Sequence, residues 1–197
     1  MTNTITFPND SISYTVPSWL QLNQLSFKLT QQIIADDYQA DRVVTLAKGG
    51  WPMSKTILDF LSIDKVASIG VKFYCDVNQR CSQPQIYQHL PVTVEGERVI
   101  LYDDVADTGE SLQFITNYLQ QRGVADIKTA TLYYKPHSKI KPDFYAAETD
   151  AWIIFPHDVV EIINSLVPKW RQQQVIDRLK KFNFQPEWIE FYLPKVK

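Results

Sequence analysis

The sequence has few of the residues that mark secreted, membrane-embedded or zinc-binding proteins. Cys75 and Cys81 are its two cysteines among 197 residues, and it has three histidines. Neither residue type shows the spacing of a disulfide framework or a zinc site. No run of about 18 apolar residues and no charged-then-apolar amino terminus is visible, so we expect no membrane span and no secretory signal. These absences predict a reducing, cytoplasmic location.

The sequence also lacks a strong net charge of either sign. Its net charge is −2, with 21% charged and 45% apolar residues, as in ordinary globular domains. We therefore expect no electrostatic capture of nucleic acid and no binding to an anionic membrane. Five cations near the carboxyl end are interpreted as a solvated helix face: Lys169, Arg171, Arg178, Lys180 and Lys181.

Strand and helix patterns alternate along the middle of the chain, which predicts an α/β fold with a mostly parallel sheet. Strand patterns cover residues 43–47, 66–73, 99–102, 127–134 and 152–155, and helix patterns cover 52–61 and 111–122. We predict three regions: an amino-terminal helix and hood contribution (1–41), a core (42–158) and a helical tail (159–197). Within the tail, Pro168 suits a first helical position. Residues 75–94 are polar and have no clear period.

The most informative segment is 99–112, where a short apolar strand precedes two acids and a helix start. Asp103 and Asp104 stand where the strand would end, and ligands of open α/β sheets bind at such ends. Carboxylates can hold sugar hydroxyls, and free amides at a helix start can hold an anion. A strand followed by an ordinary helix cap would explain the residues at the helix start but not the acid pair before them. The loop and helix start read Asp107-Thr108-Gly109-Glu110-Ser111.

This pattern resembles the phosphoribosyl pyrophosphate (PRPP) loop of type I phosphoribosyltransferases. The resemblance covers about residues 42–158. It implies the fold of that family: a mostly parallel twisted sheet flanked by helices, with a small hood and here a helical tail. It also implies that Asp103 and Asp104 hold the ribose hydroxyls and Mg²⁺, and that residues 107–111 hold the 5′-phosphate. The family is commonly dimeric, so a homodimer is expected.

A second motif, Lys48-Gly49-Gly50, follows the first core strand. By itself it is typical of a plain turn. In the resembling family this loop holds the pyrophosphate of PRPP, and in purine enzymes the peptide bond entering it is often cis. The resemblance therefore implies pyrophosphate contacts from Lys48 and Gly49 and a cis bond between Ala47 and Lys48. Residues 75–94 would form the mobile lid, with Arg80 touching pyrophosphate unless it is simply a solvated loop residue.

Further residues bear on the identity of the base. By resemblance, Asp107 would be the general base that takes a proton from a purine ring nitrogen. Lys135 would donate to the exocyclic oxygen of a 6-oxopurine, because an ammonium group is a donor only. Trp152 and Ile153 would stack on and read the purine, although Trp152 can equally be a core residue. Asp158 would reach Mg²⁺ or be an exposed acid at a helix start.

The resemblance thus implies a Mg²⁺-dependent glycosyltransferase of purine salvage that acts on PRPP and a purine. The hypoxanthine-guanine enzymes carry a Ser-Tyr dipeptide in the lid, whereas this chain has Phe73-Tyr74-Cys75. The xanthine-guanine branch and the archaeal and bacterial purine phosphoribosyltransferases fit better, and the choice among xanthine, guanine and hypoxanthine stays open. Two alternatives stay open. One is a regulator that senses PRPP or a nucleotide without catalysis, since a fold does not decide function. The other is an enzyme for another base, such as a pyrimidine or nicotinate.

Overall fold

The computed structural model describes residues 4–8, 10–73 and 84–195. None of the helices in those ranges is both long and apolar enough to cross a lipid bilayer. The strands are β1 (Thr4–Ile5), β2 (Tyr14–Thr15), β3 (Arg42–Ala47), β4 (Val66–Phe73), β5 (Pro84–Gln88), β6 (Arg98–Ala106), β7 (Asp126–Tyr134), β8 (Phe144–Glu148) and β9 (Trp152–Ile153). The α-helices are α1 (Trp19–Ala35), α2 (Trp51–Leu61), α3 (Glu110–Gln120), α4 (Val159–Leu166), α5 (Gln172–Lys181) and α6 (Pro186–Tyr192).

The chain forms two compact units. The larger unit comprises Leu22–Asp150, and the smaller unit combines the chain up to Gln21 with the chain from Ala151 onward. The division into residues 1–41, 42–158 and 159–197 stays a prediction.

A six-stranded sheet forms the centre of the larger unit. Its strand order is β5-β4-β3-β6-β7-β8, and every pair is parallel except the antiparallel pair β4–β5. Most residues of β3 and β6 are buried on both faces, as in parallel strands that helices cover from both sides. The predicted α/β fold with a mostly parallel sheet is confirmed.

Helix α3 covers one face of this sheet with an apolar stripe. Leu112, Ile115 and Leu119 are three and four residues apart, so they lie on one side of the helix. All three are buried in a cluster with Val44 of β3 and Leu101 of β6. Each such side chain contributes about 1.5–3 kcal/mol through burial. This packing places the amino end of α3 directly after the carboxyl end of β6.

Two strands of the large sheet have no clear signal in the sequence. Strand β5 lies within the segment 75–94 that was expected to be aperiodic, and it pairs antiparallel with β4 at one edge. Strand β8 forms the opposite edge. The remainder of the predicted lid, residues 75–83 with Arg80 and both cysteines, lies outside the described residues.

The smaller unit has its own sheet and its own apolar core. Strand β2 pairs antiparallel with β1 and parallel with β9. Tyr14 and Ile154 share a buried cluster with apolar residues of the three carboxyl-terminal helices. The prediction that Pro168 begins a helix was wrong, because it lies in the turn between α4 and α5. A proline after a helix end is also common, since it cannot continue the helix.

The Arg178 side chain is buried, so its assignment to a solvated helix face was wrong. Its guanidinium donates two hydrogen bonds to Asp10, with nitrogen–oxygen distances of 2.6 and 2.7 Å. The two side chains are 5% and 2% exposed. Arg178 also lies over the rings of Phe7 and Trp170, 4.1 and 3.9 Å from their centroids. This bidentate pair therefore connects the amino-terminal segment to α5 within the smaller unit.

Replacing Arg178 with methionine should destabilise the protein by about 3–5 kcal/mol, because Asp10 is left as a buried, unpaired carboxylate. The hydrogen bonds from Arg178 hold the pKa of Asp10 below its ordinary value of 3.8. A lowered pKa gives stability that is present above the unfolded-state pKa and is lost as the pH falls through the folded-state pKa. The difference between wild type and Arg178→Met should therefore shrink in acid, below about pH 4.

Urea unfolding from pH 3 to pH 8 would measure both effects. The matched control is Lys180→Met on the same helix, where the side chain is exposed and the expected change is within about 0.5 kcal/mol. The structural role of the pair would be contradicted if Arg178→Met lowered the free energy of unfolding by no more than the control does.

Candidate active site

The carboxyl ends of β3 and β6 form the point where the order of the large sheet reverses. From β3 the chain continues through α2 to β4 on one side, and from β6 it continues through α3 to β7 on the other. The two following loops therefore diverge and leave a crevice between them, the usual ligand site of open α/β sheets. Both motifs singled out in the sequence lie at this crevice.

The acidic pair lies inside β6 rather than after it. Strand β6 continues to Ala106, and Asp103 pairs with Thr131 of β7. Asp104 is buried, with 8% of its surface exposed, and its N–H donates to Asp103 Oδ1 at 3.0 Å. Burial and the neighbouring charge of Asp104 raise the pKa of Asp103 well above its usual range. A bound cation or hydroxyl donor would therefore stabilise the ionised pair.

The loop after β3 packs directly against this pair. The peptide bond between Ala47 and Lys48 is cis, as the resemblance predicted. A Cβ atom on Gly49 would lie 2.6 Å from Asp104 Oδ1, and one on Gly50 would lie 2.5 Å from Thr45 Oγ1. No side chain fits at either position, so glycine is required by close approach. The structure brings Gly49 and Asp104 together, while Lys48 is exposed beside them.

The loop after β6 makes the sharp entry into α3. Gly109 has a φ of +76°, a left-handed conformation that favours glycine, and it occupies the cap position of α3. The N–H of Glu110 faces the hydroxyl of Thr108 at 3.4 Å. The remaining N–H groups of the first helical turn have no partner within a helix, and the helix dipole adds a partial positive charge there. This turn is therefore suited to an anion.

A third loop, which follows β7, supports the entry into α3. The N–H of Lys139 donates to the Thr108 carbonyl at 2.9 Å, and the Lys139 ammonium group pairs with Glu110. A Cβ on Gly109 would lie 2.5 Å from Ser138 Oγ. The sequence analysis missed these supporting residues, because they are about 30 positions away from the motif and carry no signature of their own.

Asp107 lies among charged side chains of the loops after β7 and β8. Lys135 Nζ is 3.6 Å from Asp107 Oδ1, and His137 Nε2 is 3.3 Å from the same oxygen. On its other side, His137 Nδ1 is 3.8 Å from Asp150 Oδ1. The Lys135 residue is buried, whereas the Asp107 side chain is 59% exposed. The structure thus brings Asp107 and Lys135 together, and it adds His137 and Asp150, which the sequence analysis did not identify.

The other predicted base and metal residues belong to the smaller unit. Trp152 of β9 stacks on Tyr14 with centroids 6.2 Å apart, and Ile153 is buried. Asp158 occupies the cap position of α4, 3.8 Å from His157 Nε2. Trp152 thus packs against its own unit's core, one of the two roles considered for it. Their functional roles, like that of Arg80 outside the described residues, stay predictions.

Comparison with known proteins identifies the family. Residues 18–161 match the model of the phosphoribosyl transferase domain. The chain belongs to the phosphoribosyltransferase family. A xanthine-guanine phosphoribosyltransferase of Idiomarina loihiensis is 28% identical over 145 residues, covering 72% of this chain and 85% of the relative. A hypoxanthine-guanine phosphoribosyltransferase of Staphylococcus epidermidis is 32% identical over 114 residues, covering 54% and 62%.

A solved structure supports the same family. The purine phosphoribosyltransferase of Pyrococcus horikoshii is 29% identical and superposes with a TM-score of 0.65, covering 73% of this chain and 93% of that chain. The type I phosphoribosyltransferase fold is thereby confirmed. Membership in the family implies PRPP and a base as substrates. In this phosphoribosyltransferase, the anion-binding turn and the acid pair come from the same strand–loop–helix segment.

The close contact between Gly49 and Asp104 can be tested through stability alone. Gly49→Ala should cost about 1–3 kcal/mol, since the added methyl group overlaps the carboxylate. In an Asp104→Ala background the same change should cost less than half as much, because the overlapping group is gone. Urea unfolding of the four proteins gives the coupling energy, with Lys55→Ala on exposed α2 surface as the control. Equal costs in both backgrounds would show that the loop after β3 is not in contact with Asp104.

Proposed function

We propose that this protein transfers the phosphoribosyl group of PRPP to a 6-oxopurine, releasing pyrophosphate and forming a nucleoside monophosphate for purine salvage. The observation that carries the proposal is the contact between Asp107 and Lys135 beside the Gly109 turn. A carboxylate and an ammonium group thus lie next to a helix start that is suited to an anion, which supports a general base and a donor to the purine at this position. The relatives that bear purine phosphoribosyltransferase names support the same substrate class.

PRPP would bind across the crevice between the first two loops. Its 5′-phosphate would lie on the N–H groups of residues 107–111, where the helix dipole favours an anion. Its ribose hydroxyls would donate to the carboxylates of Asp103 and Asp104. Lys48 and the N–H of Gly49 would contact the pyrophosphate, and the close approach of the Gly49 backbone to the Asp104 carboxylate supports this arrangement.

Mg²⁺ fits the residues present at this crevice. Asp103 and Asp104 offer carboxylate oxygens, the ligand type that Mg²⁺ prefers, and the raised pKa of Asp103 indicates that a cation would stabilise the ionised pair. Among the described residues, no cluster of three or more side chains forms a complete metal site. The ion would therefore share its ligands with substrate oxygens and water, and it would supply neutralisation of pyrophosphate charge. Asp158 is proposed as an additional contact.

The base would be selected at the end of β7. The Lys135 ammonium group offers donors and no acceptor, so it favours the exocyclic oxygen of a 6-oxopurine over the amino group of adenine. Trp152 and Ile153 are proposed to stack on the ring and to read it with backbone groups. Xanthine, guanine and hypoxanthine share the exocyclic oxygen, so this contact alone does not choose among them.

In the proposed mechanism, residues of the crevice stabilise the charges that develop on the sugar and on the leaving group. As the bond to pyrophosphate breaks, the anomeric carbon of ribose gains positive charge, which the carboxylates of Asp103 and Asp104 favour. Lys48 and the Gly49 N–H stabilise the charge on the leaving group. A ring nitrogen of the base attacks the anomeric carbon, and Asp107 accepts the proton released from the base.

The cationic sugar must be protected from water, and segment 75–94 with Arg80 is proposed as the lid that does so. A homodimer is also proposed.

Asp107→Asn should lower turnover by about 10²–10⁴-fold with little change in PRPP affinity, because the amide cannot accept the proton of the base. The assay follows pyrophosphate release from PRPP and Mg²⁺ with xanthine, guanine, hypoxanthine, adenine, uracil and orotate in turn. The control is Asp59→Asn, whose side chain is exposed on α2. Tight PRPP binding without turnover on any base would instead favour the regulator, and turnover with orotate or uracil alone would favour a different base.

Lys135→Ala should lower kcat/KM for the oxopurine by roughly 10–100-fold, in line with the loss of one charged hydrogen bond worth about 1.5–3 kcal/mol. PRPP binding should change far less, since the substrate group proposed to contact Lys135 belongs to the base and not to PRPP. The matched control is Lys128→Ala at the amino end of the same strand, where the lysine pairs with Asp143 at 3.6 Å. Equal losses in oxopurine use and in PRPP binding would show that the base pocket lies elsewhere.

A further inference from the structure

The turn proposed to hold the 5′-phosphate contains two acids and no base. Residues 107–111 read Asp-Thr-Gly-Glu-Ser. Asp107 stands two residues before the glycine at the cap position of α3, and Glu110 is the first residue of the helix. A phosphate monoester carries a charge of about −1.5 to −2 at pH 7, so both carboxylates repel it. The free N–H groups of the turn would therefore bind such a ligand better if cations from another segment neutralised the two acids.

The loop after β7 supplies a lysine to each of these acids. Lys135 Nζ is 3.6 Å from Asp107 Oδ1, and the ammonium group of Lys139 donates a hydrogen bond to Glu110 Oε1. The two lysines are four residues apart, so one segment provides both cations. Lys135 is assigned to the base in the proposed function, whereas the Lys139 side chain has no role there.

Backbone contacts hold Lys139 at the turn independently of its side chain. Its N–H donates to the Thr108 carbonyl at 2.9 Å. A Cβ on Gly109 would lie 2.5 Å from Ser138 Oγ, so the residue before Lys139 packs against the glycine. The side chains of Lys139 and Glu110 are 62% and 36% exposed, and exposed ion pairs contribute little to stability. Removing the ammonium group should therefore change the charge at the turn without displacing the loop.

We propose that Lys139 is a positioning residue of the phosphate site: it neutralises the Glu110 carboxylate and thereby allows the first turn of α3 to accept a phosphate monoester dianion. The inference rests on the part of the proposed function that places the 5′-phosphate on residues 107–111. A charge influences an anion at a helix start when it lies within the first turn, and Glu110 meets that condition.

An effect of charge and a purely structural ion pair predict different results for the two single variants. Lys139→Met leaves Glu110 as an uncompensated negative charge, so the affinity for a phosphate monoester should fall. Glu110→Gln removes that charge and keeps the ammonium group, so the affinity should not fall. The double variant has neither charge, and its affinity should return close to that of the wild type. If the pair only held the loop in place, both single changes would weaken binding.

The test is isothermal titration calorimetry with ribose 5-phosphate, in which the phosphate is the anionic group. Lys139→Met should raise Kd roughly two- to fivefold, the size expected for one charge at a helix terminus, and Lys139→Arg should bind like the wild type. The difference between Lys139→Met and the wild type should shrink as NaCl is added, because salt screens exposed charges. The control is Lys141→Met, an exposed residue of the same loop whose ammonium lies over Tyr145.

Steady-state kinetics give a second readout. Lys139→Met should raise KM for PRPP and leave kcat unchanged, because a contact to the 5′-phosphate is the same in the ground state and in the transition state. Weaker binding with Glu110→Gln, or unchanged binding with Lys139→Met, overturns the inference and leaves the proposed function standing. A wild type that shows the expected binding pattern but releases no pyrophosphate with any base overturns the proposed function and supports this inference.

Discussion

The contact between Gly49 and the Asp104 carboxylate is the constraint on which the rest of the site depends. The backbone of one loop reaches the acid pair of the neighbouring strand only because no side chain stands between them; a Cβ there would be 2.6 Å from the carboxylate oxygen. The parallel pairing of β3 and β6 puts both loops at the same edge of the sheet. An exposed cation, Lys48, and two carboxylates thus occupy one crevice, where a ligand with both anionic groups and hydroxyls can satisfy all of them.

The loop after β7 connects two parts of the candidate site. Its backbone supports the entry into α3 through the bond from Lys139 to Thr108 and the close approach of Ser138 to Gly109. The same loop carries His137 to the Asp107 carboxylate. Any displacement of this loop would therefore disturb the anion-binding turn and the proposed base together. The helix start that is suited to an anion and the proposed general base therefore depend on one piece of backbone.

Features that depend on local sequence pattern could be predicted from the sequence. Features that depend on contacts between residues far apart in the sequence could not. The run through β6 into α3 supported the predicted α/β fold, because a strand buried on both faces leaves a continuous apolar run and a helix leaves a 3–4-residue spacing. The strand's continuation past Asp103 was missed, since charged residues inside a strand look like its end. Arg178 was misjudged because its partner is 168 positions away. His137 was missed because histidines were examined for metal spacing, not for carboxylates contributed by other loops.

The pKa values of Asp10 and Asp103 are shifted in opposite directions. Asp10 has a structural role, and Asp103 is a candidate ligand-binding residue. Arg178 supplies two hydrogen bonds to Asp10 and lowers its pKa, so the carboxylate of the smaller unit is neutralised within the fold. The pKa of Asp103 is instead raised, because burial and the charge of Asp104 disfavour its ionised form. The first arrangement stabilises the folded chain without any ligand. The second costs free energy unless a cation or hydroxyl donors stabilise the ionised pair. The acid pair of β6 is therefore a poor source of stability, which agrees with the ligand-binding role proposed for it.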